Sequence, residues 1–171
     1  IIGTQINFKF DDTIGLLPLF ALNRDGYKNI IQLSSKSYLE NDNITESYLD
    51  IKKLLELENS GISIFSGTVF GLFGKLYEKG KFLEINELYK KLAKTFKDRF
   101  YLEIQRHNDY NEDEFEKFNL DQSKKLEIPI IATNEVFYLS KDMHEAHDAL
   151  VCIGNKTYLN EKNRIRYSPE H

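Results

Sequence analysis

The sequence predicts an α/β domain with a mostly parallel sheet and flanking helices. Three observations predict it. Short apolar runs recur at residues 62–65, 100–104 and 128–132, and each is followed by a polar turn. Runs of that length bounded by turn residues suit buried strands. The stretches between them carry apolar residues at helical spacing, so the order from residue 61 is strand, helix, helix, strand, helix, strand, helix. Such alternation argues for parallel pairing. Finally, 171 residues at 41% hydrophobic and 29% charged are enough for one domain with a core.

The elements follow in order. Residues 1–10 alternate apolar and polar, a strand pattern, and Asp11-Asp12 makes a turn. Residues 16–22 form an apolar run with Pro18 inside it, which suits a strand displaced to an edge or a bulge. Asn23 or Asp25 can cap a helix over 26–38, a polar loop spans 40–45, and Tyr48, Ile51, Leu54 and Leu55 predict a second helix over 46–58. After the 62–65 strand, Ser66-Gly67-Thr68 reads as a tight turn into a helix over 69–79. Residues 82–96 carry one apolar stripe: Ile85, Leu88, Tyr89, Leu92 and Phe96. The 100–104 strand ends in Gln105-Arg106-His107. Asn111 with Glu114 looks like a capping box for a helix to about 126. A buried strand over 128–132 leads through Thr133-Asn134-Glu135 to a helix over 141–151. Residues 154–171 have no periodicity and read as irregular.

Bulk properties narrow the function classes. The net charge of −4 supplies no basic footprint for nucleic acid. One cysteine, Cys152, excludes an internal disulfide and a multi-cysteine zinc site, and fits a reducing cytosol. No apolar run approaches the roughly 18–20 residues that cross a bilayer. The opening run Ile1-Ile2-Gly3 leads to the expectation of a fragment of a larger protein.

In a parallel sheet, ligands gather at the C-terminal ends of strands. The polar residues there are Gln5, Thr68, Gln105, Arg106, His107, Thr133, Asn134 and Glu135. Only His107 and Glu135 are strong ligand types among them, a residual polar site too small for a catalytic metal, which normally has three protein ligands. His144 and His147 share a helix face without a third ligand and read as capping or packing histidines. Arg106-His107 could contact phosphate, or Arg106 could be ion-paired on a solvated strand end. Cys152 reads as core. No phosphate-binding glycine loop, G-x-S-x-G elbow or zinc cluster is present.

A resemblance adds to this reading. Ile1-Ile2-Gly3-Thr4-Gln5 resembles an I-I-G-C-E strand. Leu19-Phe20-Ala21-Leu22-Asn23, Gly26-Tyr27-Lys28-Asn29-Ile30 and Leu33-Ser34-Ser35 are similar to L-L-A-K-N, G-Y-x-N-L and L-S-S. Ser66-Gly67, residues 98–107, residues 130–138, Ala146-His147-Asp148 and Lys156-Thr157-Tyr158-Leu159 match in the same order. The ordered set resembles the PHP (polymerase and histidinol phosphatase) domain of bacterial DNA polymerase III alpha subunits.

That resemblance implies a partial, distorted (β/α)7 barrel, with residues 1–171 forming the C-terminal two-thirds of one PHP domain. The first strands, with H-x-H and T-D-H-G motifs, would precede Ile1. It also implies departures at the family's metal-ligand positions, which fall on Gln5, Leu16, Thr68, Glu135 and Phe137. Leu16 and Phe137 cannot coordinate, and Gln5 and Thr68 offer neutral oxygens, which hold divalent metals poorly without carboxylates. The expectation is a degenerate metal site with no catalytic, cofactor or metal residues in this chain. The implied parent is a cytoplasmic DNA-directed DNA polymerase, a nucleotidyltransferase of DNA replication, taking DNA and deoxynucleotides and using Mg2+ outside this chain. The domain would support the rest of the polymerase chain and dock the proofreading exonuclease subunit, with no membrane role. The alternative is an active metal-dependent phosphoesterase or exonuclease completed by the missing strands.

Overall fold

The computed structural model describes residues 1–40, 46–57 and 60–170. The polar loop expected at 40–45 and the end of the helix expected at 46–58 lie largely outside the described residues.

The chain begins with a hairpin. β1 (Ile2–Phe10) and β2 (Thr13–Ala21) pair antiparallel across nine residue pairs, turning at Asp11-Asp12. α1 (Arg24–Leu39) follows, with the Asn23 side chain accepting from the Gly26 amide at 2.9 Å as its N-cap. Gly26 must be small, because a Cβ there would lie 1.9 Å from the Gly61 carbonyl oxygen.

The helix expected over 46–58 is instead β3 (Leu49–Asp50) running into the short α2 (Ile51–Leu55). Two local forces explain the difference. Leu49 and Asp50 pair with Phe8 and Lys9 of β1. The Asp50 carboxylate then accepts from the Lys52 amide at 2.8 Å, so the helix starts only at 51.

β4 (Ile62–Phe65), α4 (Phe82–Phe96) and β5 (Phe100–Ile104) form at the bounds their apolar runs set. α3 (Leu72–Glu78) starts three residues later than its spacing predicts, because Thr68 prolongs the turn. Its hydroxyl accepts from the Phe70 amide and its carbonyl from the Gly71 amide.

α5 (Glu112–Leu126) lacks the expected capping box. Asn111 sits at φ 63° and makes no side-chain cap, and Glu112 takes over the turn, accepting from the His107 amide at 2.7 Å. β6 (Ile130–Ala132) is a half-exposed edge strand rather than a buried one. A 3-10 turn, Lys141–Met143, precedes α6 (His144–Asn155).

The six strands form one open sheet in the order β3-β1-β2-β4-β5-β6. Three of its five pairings are parallel: β1 with β3, β4 with β5, and β5 with β6. This is a mixed, mostly parallel α/β architecture consistent with part of a barrel. Pro18 lies in an interior strand, not at an edge. It sits one residue before the β2–β4 pairs begin at Leu19, so no β4 partner needs its missing donor.

Alternation gives the sheet two faces. One carries Ile6, Phe8, Leu17, Leu19, Ile62, Ile64, Phe100 and Leu102, all buried in one apolar cluster. α4 adds Ile85, Leu88, Tyr89, Leu92 and Phe96 to that cluster. Each such side chain stabilises by about 1.5–3 kcal/mol when fully buried. The other face carries what the register places opposite: Gln5 against Pro18, Phe20 against Ser63, and Glu103 against Ile131.

The irregular tail is tied down. Arg164 donates through both Nη atoms to the Asp148 carboxylate, the second bond at 2.7 Å, and both side chains are buried. That pairing holds the Asp148 carboxyl below its usual range.

Candidate functional site

The second face of the sheet ends in a cavity of about 340 Å³. The topology explains its contents. β4, β5 and β6 run parallel, so their C-terminal turns lie side by side. β2 runs opposite to β4, which brings residues before Leu19 to the same end, and β1 follows by register. The cavity is therefore lined by Gln5 from β1, Leu16 and Pro18 from β2, and Thr68 from the turn after β4. Glu103, Gln105, Thr133, Asn134 and Glu135 close it from the β5–β6 side.

Four of the five positions singled out in the sequence thus meet in one place: Gln5, Leu16, Thr68 and Glu135. Phe137 lies elsewhere. Its ring stacks on His147 at 4.9 Å between centroids and packs on Tyr167. His147 is an aromatic packing residue, and His144 Nε2 pairs with the Tyr167 carbonyl at 2.9 Å. Cys152 is buried.

His107 and Glu135 do not form the residual pair expected of them. His107 is 1% exposed and does not line the cavity that Glu135 lines. Its Nε2 meets Asn134 Oδ1 at 2.5 Å, its Nδ1 lies 3.6 Å from Glu112, and its carbonyl accepts from the Ser168 hydroxyl. Nor do Arg106 and His107 act together on a phosphate. His107 is buried, whereas Arg106 is exposed and ion-paired bidentately to Glu116 at 3.0 and 2.8 Å.

Sequence reasoning missed Glu103. It is a carboxylate 5% exposed, held between β4 and β6. The Thr133 hydroxyl donates to Oε1, Gln105 reaches both Thr133 at 2.8 Å and Oε1 at 3.4 Å, and Oε2, closed off from solvent, has no side-chain partner. Burial pushes its carboxyl up, and the nearby Glu135 charge adds to that, against the opposing pull of Thr133, the Gly67 amide and Gln105. The signal in the sequence is an acidic residue inside an apolar strand, Phe-Tyr-Leu-Glu-Ile, on the face opposite Leu102.

A divalent metal does not fit this donor set. Among the described residues the one group of three His, Cys, Asp or Glu side chains close enough to share an ion is His107, Asp109 and Glu112, outside the cavity. Glu112 there is occupied by the His107 and Asp109 amides. The cavity itself offers Glu103 and Glu135 with amide and hydroxyl oxygens, fewer charged ligands than a catalytic centre uses. Among the described residues no helix is long and apolar enough to cross a membrane.

Comparisons with known proteins agree with this architecture. The chain is 32% identical to the DNA polymerase III subunit alpha of Caulobacter vibrioides over 155 residues, 91% of this chain and 14% of that protein. The same subunit of Rickettsia conorii is 34% identical over 164 residues, covering 94% and 14%. That of Vibrio cholerae is 32% identical over 174 residues, covering 99% and 15%. The chain spans about one-seventh of the length of these curated relatives. The sequence profile of the PHP domain matches residues 1–107, the segment that supplies β1 to β5 and most of the residues lining the cavity, and the chain belongs to the PHP domain family.

Proposed function

We propose that the chain is the PHP-domain portion of a DNA polymerase III alpha subunit, within a cytoplasmic protein that performs template-directed DNA synthesis with Mg2+ held outside this chain. In this reading the domain is a metal-free structural module. It supports the rest of the polymerase chain and docks the proofreading exonuclease subunit. One observation carries the proposal: Gln5, Leu16 and Thr68 line the cavity where the resemblance would put metal ligands, and of that set only Glu135 keeps a carboxylate. A site built that way cannot generate a metal-bound hydroxide for phosphoester attack.

The test uses the full-length protein. Co-elution of the full chain with the exonuclease subunit in size-exclusion chromatography, together with no phosphoesterase activity on a nitrophenyl phosphate at added Mn2+ or Zn2+, is the expected result. Metal-dependent hydrolysis abolished by Glu135→Ala would establish the enzyme reading instead. Failure to co-elute would remove the docking role.

A further inference from the structure

Away from the cavity of Gln5 and Glu135, the end of β1, α2 and α4 enclose a groove that shares none of its lining residues. It consists of two adjoining hollows of about 450 and 280 Å³, joined through Leu55 and Lys91, which line both. The floor is apolar. Ile51 and Leu88 are buried in it, and Phe10 and Leu55 pack on the core while staying partly exposed. The rim is cationic. Lys9, Lys52 and Lys91 line the larger hollow, and Lys91 and Lys94 the smaller.

The chain does not balance this charge itself. Lys52, Lys91 and Lys94 are exposed, and their side chains make no ion pair among the described residues. The two carboxylates that line the groove are already engaged. Asp50 accepts from the Lys52 amide at 2.8 Å, and Asp11 lies 3.9 Å from Lys81 Nζ. Glu87, one turn before Lys91, pairs with Lys90 at 2.9 Å. An apolar floor inside a cationic rim complements a polypeptide that carries both apolar and acidic groups. It suits a nucleic-acid strand less well, because bases need an open aromatic face on which to stack. Lys9 Nζ lies over the Tyr48 ring at 5.1 Å, and Phe10 is packed on the core. We propose that this groove docks a segment of a partner protein in which carboxylates flank apolar side chains. The apolar groups would rest on Phe10 and Leu55, and the carboxylates would pair with Lys52, Lys91 and Lys94.

The inference stands on this groove and not on the exonuclease-docking reading, so its test is run without the exonuclease subunit. A random peptide library displayed on phage is selected on the full-length protein and counter-selected on the double variant Lys91→Glu/Lys94→Glu, both positions being exposed on α4. Lys52→Gln, a milder change on α2, is the second variant. The expected consensus sets Asp or Glu beside Leu, Ile or Phe. The best peptide, titrated by fluorescence anisotropy, is expected to bind the double variant about tenfold more weakly and Lys52→Gln about threefold more weakly. Its affinity is expected to fall as salt is added. A consensus that the double variant retains, a consensus lacking either its acidic or its apolar residues, or equal binding to the wild type and Lys52→Gln overturns the inference. An oligothymidylate that binds the wild type more tightly than the peptide, and is lost in the double variant, overturns it in favour of nucleic acid.

Discussion

The two faces of the sheet obey different rules. The helix-packed face is mostly apolar, from Ile6 and Phe8 through Leu102, with Thr13 a buried polar exception. The cavity face mixes Phe20 and Phe65 with Gln5 and Thr133, and holds the buried carboxyl of Glu103. The first face stabilises the domain by burial that any close-packed side chain of the right volume could give. The second keeps polar groups at a cost to stability, and such groups are where a partner or ligand is expected. The difference teaches that one sheet carries an ordinary core on one side and a polar cavity on the other.

The largest break in this comparison comes from the apolar face. Leu19 is fully buried between β1 and β4. Leu19→Ala is expected to destabilise by about 2–5 kcal/mol, read by equilibrium urea unfolding. Tyr89→Phe probes a polar contact reaching into that core. It removes the bond from the Tyr89 hydroxyl to Asn119 Oδ1 at 2.9 Å and leaves the buried Asn119 short of a donor, a loss of about 1–2 kcal/mol.

On the cavity face the sign reverses. Burial holds the Glu103 carboxyl above its usual range. The folded state therefore favours the protonated form. The stability this contributes is complete below the ordinary carboxylate pKa and is lost as pH rises through the raised value. Glu103→Gln is expected to flatten that slope and to stabilise the protein at neutral pH by about 1 kcal/mol, measured as thermal unfolding across pH. A destabilised variant with an unchanged slope would mean that the charge is compensated.

The helix-packed face was legible because its signals are local. The stripe from Ile85 to Phe96 and the runs at 62–65 and 100–104 need no distant partner to be read. The cavity face was legible in part: the strand-end argument pointed to Gln5, Thr68, Gln105, Thr133, Asn134 and Glu135, and the PHP resemblance added Leu16. Glu103 escaped because its environment comes from Thr133, thirty residues away. The same reason hid β3, whose pairing partners Phe8 and Lys9 lie about forty residues upstream. His107 looked like a site residue because strand-end histidines are common ligands, and the tail that buries it is irregular in sequence.

Two smaller effects sharpen the contrast. Arg164→Ala removes the bidentate partner of Asp148 and with it the anchor of the tail that covers His107. Faster limited proteolysis within residues 156–170 is expected, with little change elsewhere. Asp148 is held below its usual range, so this anchor persists at neutral pH and weakens only as pH falls through the lowered value. The smallest effect belongs to Leu16, 39% exposed at the cavity. Leu16→His is expected to shift stability by no more than about 0.5 kcal/mol in urea unfolding, because no packing depends on it.

Elemental analysis of the full-length protein, dialysed extensively after brief exposure to Zn2+ and Mn2+, tests the central claim most directly. The account predicts less than a stoichiometric trace of either metal in this domain, and no change on Glu135→Ala. Two or more tightly held ions per chain, lost on Glu135→Ala, would contradict it.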